Sequence, residues 1–147
     1  MPRTKAAIGF GTLLKRGDGA TPTEVFSTVS EVLDITGGVS KTRSFEDATN
    51  MESPGGVREY IAALIDLGEI TFQMNAVFTD AQQQAVHADL MSGVLRNWQL
   101  VLPSAIGKRW EGAAFVASIG NPHPVAGKMV RDVTLRPSGD WTFVNNP

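Results

Sequence analysis

The chain has 147 residues, a formal net charge of −2, 42% hydrophobic residues and no cysteine. That is enough chain for one domain with a real core, and the missing cysteines exclude disulfide staples and thiolate metal sites and suit a reducing compartment. No apolar run approaches the roughly 18 residues of a membrane helix, the basic N-terminal stretch lacks the apolar core and cleavage site of a signal peptide, and interspersed charges of both signs argue against tight, sequence-independent binding to nucleic acid.

In the first 24 residues Gly9, Gly11, Gly17 and Gly19 mark turns, Asp18-Gly19 above all, and residues 12–15 predict a short strand. Residues 24–36 carry both a helical spacing (Val25, Val29, Val32) and a strand face (Val25, Val29, Leu33, Ile35); their β-branched content favours a strand, ended by Gly37-Gly38. Residues 39–54 are largely polar, with Val39, Phe45 and Met51 the only large apolar side chains. Such a segment is a solvated loop or an extended arm that needs a partner, and Pro54-Gly55-Gly56 closes it.

A short apolar segment, 58–67, then leads through Asp66-Leu67-Gly68 into the clearest strand, 69–78. There Ile70, Phe72, Met74, Ala76 and Phe78 fall on one face, and Glu69, Thr71, Gln73 and Asn75 on the other, with Val77 the sole breach. Period-two alternation of this length marks a strand buried on one side and polar on the other. Thr79 and Gln82 have the spacing of a capping box, and Asp80 suits the positive end of a helix dipole. Val86, Leu90 and Val94 follow as a stripe beside Met91 and Leu95, predicting a helix over about 80–95 whose end Gly93 weakens.

Residues 98–102 predict a strand stopped by Pro103, and 109–119 another, with Trp110, Ala114 and Val116 opposite Phe115, Ala117 and Ile119. Asn121-Pro122-His123-Pro124 is a turn, 129–136 alternates again, and Ser138-Gly139-Asp140 is expected to turn the chain into a last strand, 141–144. There is no internal repeat, so 1–147 is expected to be a single domain. The fold class is mainly β: a small β-sandwich or partly open barrel with one flanking α-helix. Its open edges could pair between subunits.

Catalytic chemistry has little to stand on. Gly9-Phe10-Gly11 and Gly17-Asp18-Gly19 lack the Gly-Lys-Ser/Thr of a phosphate loop. His87 has Asp89 at the wrong spacing for one helical face, and His123 sits between prolines, so neither suggests a metal or acid-base site. Glu46 and Asp47 are adjacent and point to opposite faces of a strand, which makes no dyad. Trp98, Trp110 and Trp141 could stack bases, but each lies in an apolar strand pattern that favours the core. Arg3, Lys5, Lys15 and Arg16 are too few for a nucleic-acid-binding arm. No catalytic residue, cofactor or metal is expected.

The order of features over nearly the whole chain resembles the lambda-type major tail tube proteins of long-tailed bacteriophages. The carriers are the Gly17-Asp18-Gly19 turn, a strand from Phe26 to the Gly38 turn, a polar arm, and Arg58-Glu59-Tyr60-Ile61 leading to Asp66-Leu67-Gly68-Glu69 and an alternating strand. A helix opened by glutamines, a Trp-containing strand ending in Leu102-Pro103, and a late Arg136-Pro137-Ser138-Gly139 turn complete the set. Glu111-Gly112 after Trp110 departs from the more apolar run of relatives. The chain ends at Pro147, so no added immunoglobulin-like domain is expected.

The resemblance implies a structural virion protein, assembled in the host cytoplasm, that forms hexameric rings. The rings stack into a hollow tube through which DNA is ejected. It implies as partners further copies of the chain and other tail proteins such as the tape measure, tail terminator and distal tail proteins, with DNA passing unbound and no membrane contact. The arm at about 39–62 would reach the adjacent ring, with Phe45, Glu46, Asp47, Met51, Arg58 and Tyr60 as candidate contacts. A conduit for DNA calls for a neutral or acidic lining, for which Glu31, Asp34, Gln73 and Asn75 are candidates. The alternatives are a tail terminator, a distal tail ring or a secretion-system tube protein, and, from another class, a small ligand-binding β-barrel.

Overall fold

The computed structural model describes residue 6 and residues 8–146. Along these run β1 (Leu13–Gly17), β2 (Phe26–Thr28), β3 (Val32–Ile35), β4 (Lys41–Asp47), β5 (Tyr60–Leu67), β6 (Ile70–Asn75), α1 (Ala81–Ser92), β7 (Arg96–Val101), β8 (Lys108–Gly120) and β9 (Val130–Asn145). Seven strands form one sheet in the order β2-β1-β7-β8-β9-β6-β3, while β4 and β5 pair with each other as a separate hairpin.

The large sheet is rolled up, because one short stretch of chain serves both of its edges. Val29 N donates to Leu14 O beside β1 at 2.9 Å, and Asn75 N of β6 donates to Glu31 O at 3.0 Å. Six strand spacings would hold the edges of a flat sheet about 29 Å apart, whereas two residues of chain reach at most about 7 Å. The sheet therefore curls into a partly open barrel, in agreement with the expected class. Residues 24–36 are accordingly two strands and not the one expected. The break falls at Glu31, whose φ of 54° lies in the left-handed region that side chains other than glycine seldom enter.

The barrel is filled from the inward faces of its strands. Ile70, Phe72 and Met74 of β6 alternate inward as expected and lie opposite Leu135, Val133 and Arg131 of β9. Leu14, Trp98, Leu100, Ala114, Val116 and Trp141 complete the core. Burying each of the larger side chains contributes roughly 1.5–3 kcal/mol. Trp98 and Trp141 are fully buried, and Trp110 packs against the core and Phe143 with ring centres 4.6 Å apart, so no tryptophan is a platform for bases.

The helix is shorter than expected and begins one residue later. Asp80, not Thr79, is the N-cap, its carboxylate accepting from Gln83 N at 3.0 Å. Aspartate caps better than threonine, and its second oxygen also accepts from Ser30 Oγ at 2.9 Å. Gln83, the third residue of the helix, is fully buried; it accepts from Val77 N and donates to Asn75 O, tying the helix start to the end of β6. Gly93 ends the helix, leaving Val94 and Leu95 outside it. Replacing Asp80 with Ala should lower stability by about 1 kcal/mol, as cap removal usually does. Urea unfolding would check this, and an unchanged midpoint would contradict the capping role.

Where turns were expected at 136–139 and 138–140, the chain continues as one long strand with a bulge at residues 139–141. Glu111 pairs with Thr142 and Ala113 with Ser138, so Gly139, Asp140 and Trp141 together oppose Gly112. Gly139 takes φ 84°, which glycine adopts without steric cost. The unbroken 13-residue β8 holds both halves of β9 in one ladder.

Candidate assembly surfaces

The expected polar arm is an ordered β-hairpin that extends past 62 to Leu67. β4 pairs with β5 from Lys41–Leu67 at the base to Asp47–Tyr60 near the tip. Its root is tied to the barrel: Lys41 Nζ lies 2.7 Å from Asp140 Oδ1, and Arg136 Nη2 3.7 Å from Asp66 Oδ1. Beyond the root, both faces are exposed along nearly the whole hairpin. An isolated two-stranded hairpin is marginal in water, and this one leaves Tyr60, Ile61, Leu64 and Ile65 in solvent, with Leu64 85% exposed.

The structure places the candidate arm residues as follows. Phe45 lies opposite Ala62 and Asp47 opposite Tyr60, so Phe45, Asp47 and Tyr60 share one face. Arg58 joins them through a 3.2 Å ion pair to Asp47. Glu46 lies on the other face opposite Ile61. Met51 projects from the tip, fully exposed. Hydrogen bonds from Thr49, first its side chain and then its amide, hold the Asp47 carboxyl below its ordinary value of 3.8, with Arg58 adding to them. The turn gains from that ionised carboxylate above the unfolded value and loses the gain as pH falls through the lowered one.

Of the exposed apolar residues of β5, Tyr60 was a candidate contact, whereas Ile61, Leu64 and Ile65 were not singled out from the sequence, although the signal was present. A strand apolar on both faces, as 60–65 is, expects cover on both sides, and the barrel supplies none.

The four candidate lining residues gather at the β3–β6 end of the sheet. Asn75 Nδ2 donates to Glu31 Oε1 at 3.3 Å, and Gln73 Nε2 to Asp132 Oδ1 at 2.9 Å. Asp34 stands exposed on β3 beside them. Asp132, which sequence reasoning did not single out, adds a third carboxylate to this outward polar face. At the opening of the barrel, Phe10, Leu13, Leu33 and Asp34 line a groove of about 790 Å3 between the N-terminal turn and β3. β2 and β3 each end the sheet, leaving one row of backbone groups without a strand partner among the described residues.

The other sequence candidates are accounted for by structure. Asp18 Oδ1 accepts from Ala20 N and Val25 N, and Glu24 Oε2 from Gly19 N, so carboxylates occupy the place a phosphate would need. Arg16 is not part of an exposed basic arm. It is buried in a bidentate pair with Asp89 at 2.5 and 2.8 Å, and Arg96 adds a third contact at 3.2 Å. Lys15 is half-buried, and Arg3 and Lys5 lie outside the described residues. Among the described residues no group of three or more His, Cys, Asp or Glu side chains could hold a metal ion.

A family model described as lambda phage tail tube protein matches residues 17–143. A search of curated protein sequences gave no match. Among solved structures, the chain is similar to one in the tail of an empty gene transfer agent particle refined with C6 symmetry, at 20% identity and a TM-score of 0.74, covering 95% of this chain and 99% of that one. It is similar also to the SPP1 tail tube, at 12% identity and a TM-score of 0.74, covering 96% of this chain and 80% of that one. A chain of the anti-feeding prophage baseplate shares the fold at 12% identity and a TM-score of 0.69, covering 97% and 98%.

Proposed function

The chain belongs to the lambda phage tail tube protein family and is a structural, non-enzymatic component of the virion tail that assembles into the tail tube; from this premise we propose how its surfaces build that tube. Subunits join side by side into six-membered rings through the unpaired edges of β2 and β3. The C6 symmetry of the gene transfer agent tail, whose chain has this fold, supports the number. The rings stack through the β4–β5 hairpin, whose tip and outer face seat Phe45, Asp47, Met51, Arg58 and Tyr60 on the next ring, with Glu46 on the opposite face. The patch of Glu31, Asp34, Gln73, Asn75 and Asp132 faces the lumen, where its carboxylates repel phosphate and let DNA slide. The tape measure, tail terminator and distal tail proteins meet the tube along its length and at its ends.

The observation that carries this reading is the hairpin, anchored at its root, with a β5 strand that leaves apolar residues exposed on both faces. A neighbour that covers it gains apolar burial while ordering little new chain, since the hairpin is already formed.

Phe45→Ala and Met51→Ala should each impair tube formation and leave the melting temperature of the subunit unchanged. Negative-stain electron microscopy across concentration and time, with calorimetry of the same samples, would check both. Normal tubes from both variants would remove the arm from the inter-ring contact. Isolated rings from the unaltered chain would favour a tail terminator or distal ring. Monomers persisting even with a tail initiator complex would favour a ligand-binding barrel.

A further inference from the structure

Both histidines of the chain and a buried arginine line one pocket. His87 and Gln84 of α1, Asn121 and His123 of the β8–β9 loop, Phe78 and Arg131 of β9 enclose about 430 Å3. Arg131 stands on the core face of β9 opposite Met74 and is only 6% exposed. Its Nε donates to Asn121 Oδ1 at 3.0 Å, and its guanidinium carbon lies 5.4 Å from the Phe78 ring centre. No carboxylate among the described residues is within ion-pair distance of it, and its two terminal nitrogens have no acceptor there. The other buried arginine, Arg16, is held by the Asp89 carboxylate. A largely buried cation left without a counter-charge is a costly arrangement, and here only the solvent of its open pocket meets its terminal nitrogens. The groups around it accept a carboxylate: a guanidinium fork, two imidazoles and an aromatic wall.

The arm tip carries the matching chemistry. Of its carboxylates, Asp47 is paired with Arg58 and Glu59 accepts from Ser53 Oγ at 2.9 Å. The Glu52 carboxylate has no partner among the described residues, and beside it Met51 projects fully into solvent.

We propose that the Arg131 pocket is the receptor for the arm tip of a subunit in the adjacent ring, with the Glu52 carboxylate seated on the Arg131 guanidinium and the Met51 side chain against Phe78. The proposal rests on the arm being the inter-ring contact and names where it lands. Thioether against aromatic edge and carboxylate on guanidinium are both favourable once water is excluded. Twofold use of each subunit, as donor of a tip and owner of a pocket, lets rings stack without limit, because a head-to-tail contact of this kind does not close on itself.

Two variants test it. Glu52→Lys should leave the melting temperature of the subunit unchanged and raise the concentration needed for tube growth by roughly thirtyfold or more, the usual scale for losing one partner of a buried interfacial charge pair. His123→Lys keeps Glu52 and Arg131 and adds a cation to the pocket, so tubes should still form. A zero-length carbodiimide applied to those tubes should then join the Glu52 carboxylate to the Lys amine of another subunit, seen as a linked peptide by mass spectrometry and absent from a Glu52→Gln control. Tubes without that link, or a Glu52→Lys chain that assembles at the usual concentration, would overturn the landing site and leave the tube intact. A His123→Lys chain that no longer assembles would also overturn it, since added positive charge should aid the contact. Failure of the unaltered chain to stack would overturn the arm reading beneath it.

Discussion

Asp89→Ala is expected to destabilise the subunit by about 3–5 kcal/mol, the usual cost of stripping one partner from a buried ion pair. The Asp89 side chain is 3% exposed and that of Arg16 10%. One carboxylate there serves two guanidiniums, taking both Nε and Nη2 of Arg16 and Nε of Arg96. Removing it leaves a buried cation with no counter-charge and a second one half-freed. A domain of this size has only about 5–15 kcal/mol to lose, so the variant should be marginal at body temperature. Replacing both partners separates the two halves of the argument. Asp89→Leu with Arg16→Met removes the charges together and should recover most of the loss, because apolar side chains of similar volume often serve as well as a buried pair. Urea denaturation of the three proteins measures this. A single-variant loss below about 1 kcal/mol would mean that water reaches the pair and screens it.

Gly112→Ala should cost more than a methyl group suggests. A Cβ at that position would stand 2.5 Å from both Cγ and Cδ1 of the Trp141 ring. The ring cannot step aside cheaply: it is fully buried and fastened by its Nε1 donating to Ala113 O at 3.0 Å. Overpacking costs about 1–3 kcal/mol where neighbours can shift, and expelling the ring would approach the 3–5 kcal/mol of a Trp→Ala change. A loss of about 2–4 kcal/mol is expected between those limits, with a weakened near-ultraviolet dichroism signal. Combining it with Trp141→Leu should add little further, since the clash is gone once the ring is. Strict additivity of the two losses would show that the contact is not the cause.

What could be read from the sequence follows from how each element meets the core. β6 was plain because one face packs inward and the other meets water, and Gln73 and Asn75 were correctly set on its polar side. The helix was read from a capping box and an apolar stripe together, but its buried face holds Gln83 and Asp89 beside Val86. Those polar groups are satisfied by partners far along the chain, Asn75 O for one and Arg16, 73 residues away, for the other. No local pattern announces such pairing, and Arg16 was for that reason grouped with the other N-terminal cations, Arg3, Lys5 and Lys15. Ser138-Gly139-Asp140 has the composition of a hairpin turn, but only the length of the strand opposite decides between a turn and a bulge. The arm was identified by its polarity, which is true of β4 and false of β5. Its candidate residues lie on the β4–β5 hairpin and its tip, while the pocket around Arg131 joins a helix, a loop and a strand that no spacing connects.

Glu31 has one more consequence. The strands on either side of it lie at opposite ends of the sheet, yet Thr28 and Val32 are separated by only three residues. Neither margin of the barrel can shift without dragging the other. A neighbour that docks along β3 restricts β2 as well, so the next neighbour meets a surface whose freedom has already been spent. If subunits join through these edges as proposed, lateral growth of a ring is expected to be cooperative, with partial rings scarce and complete ones accumulating.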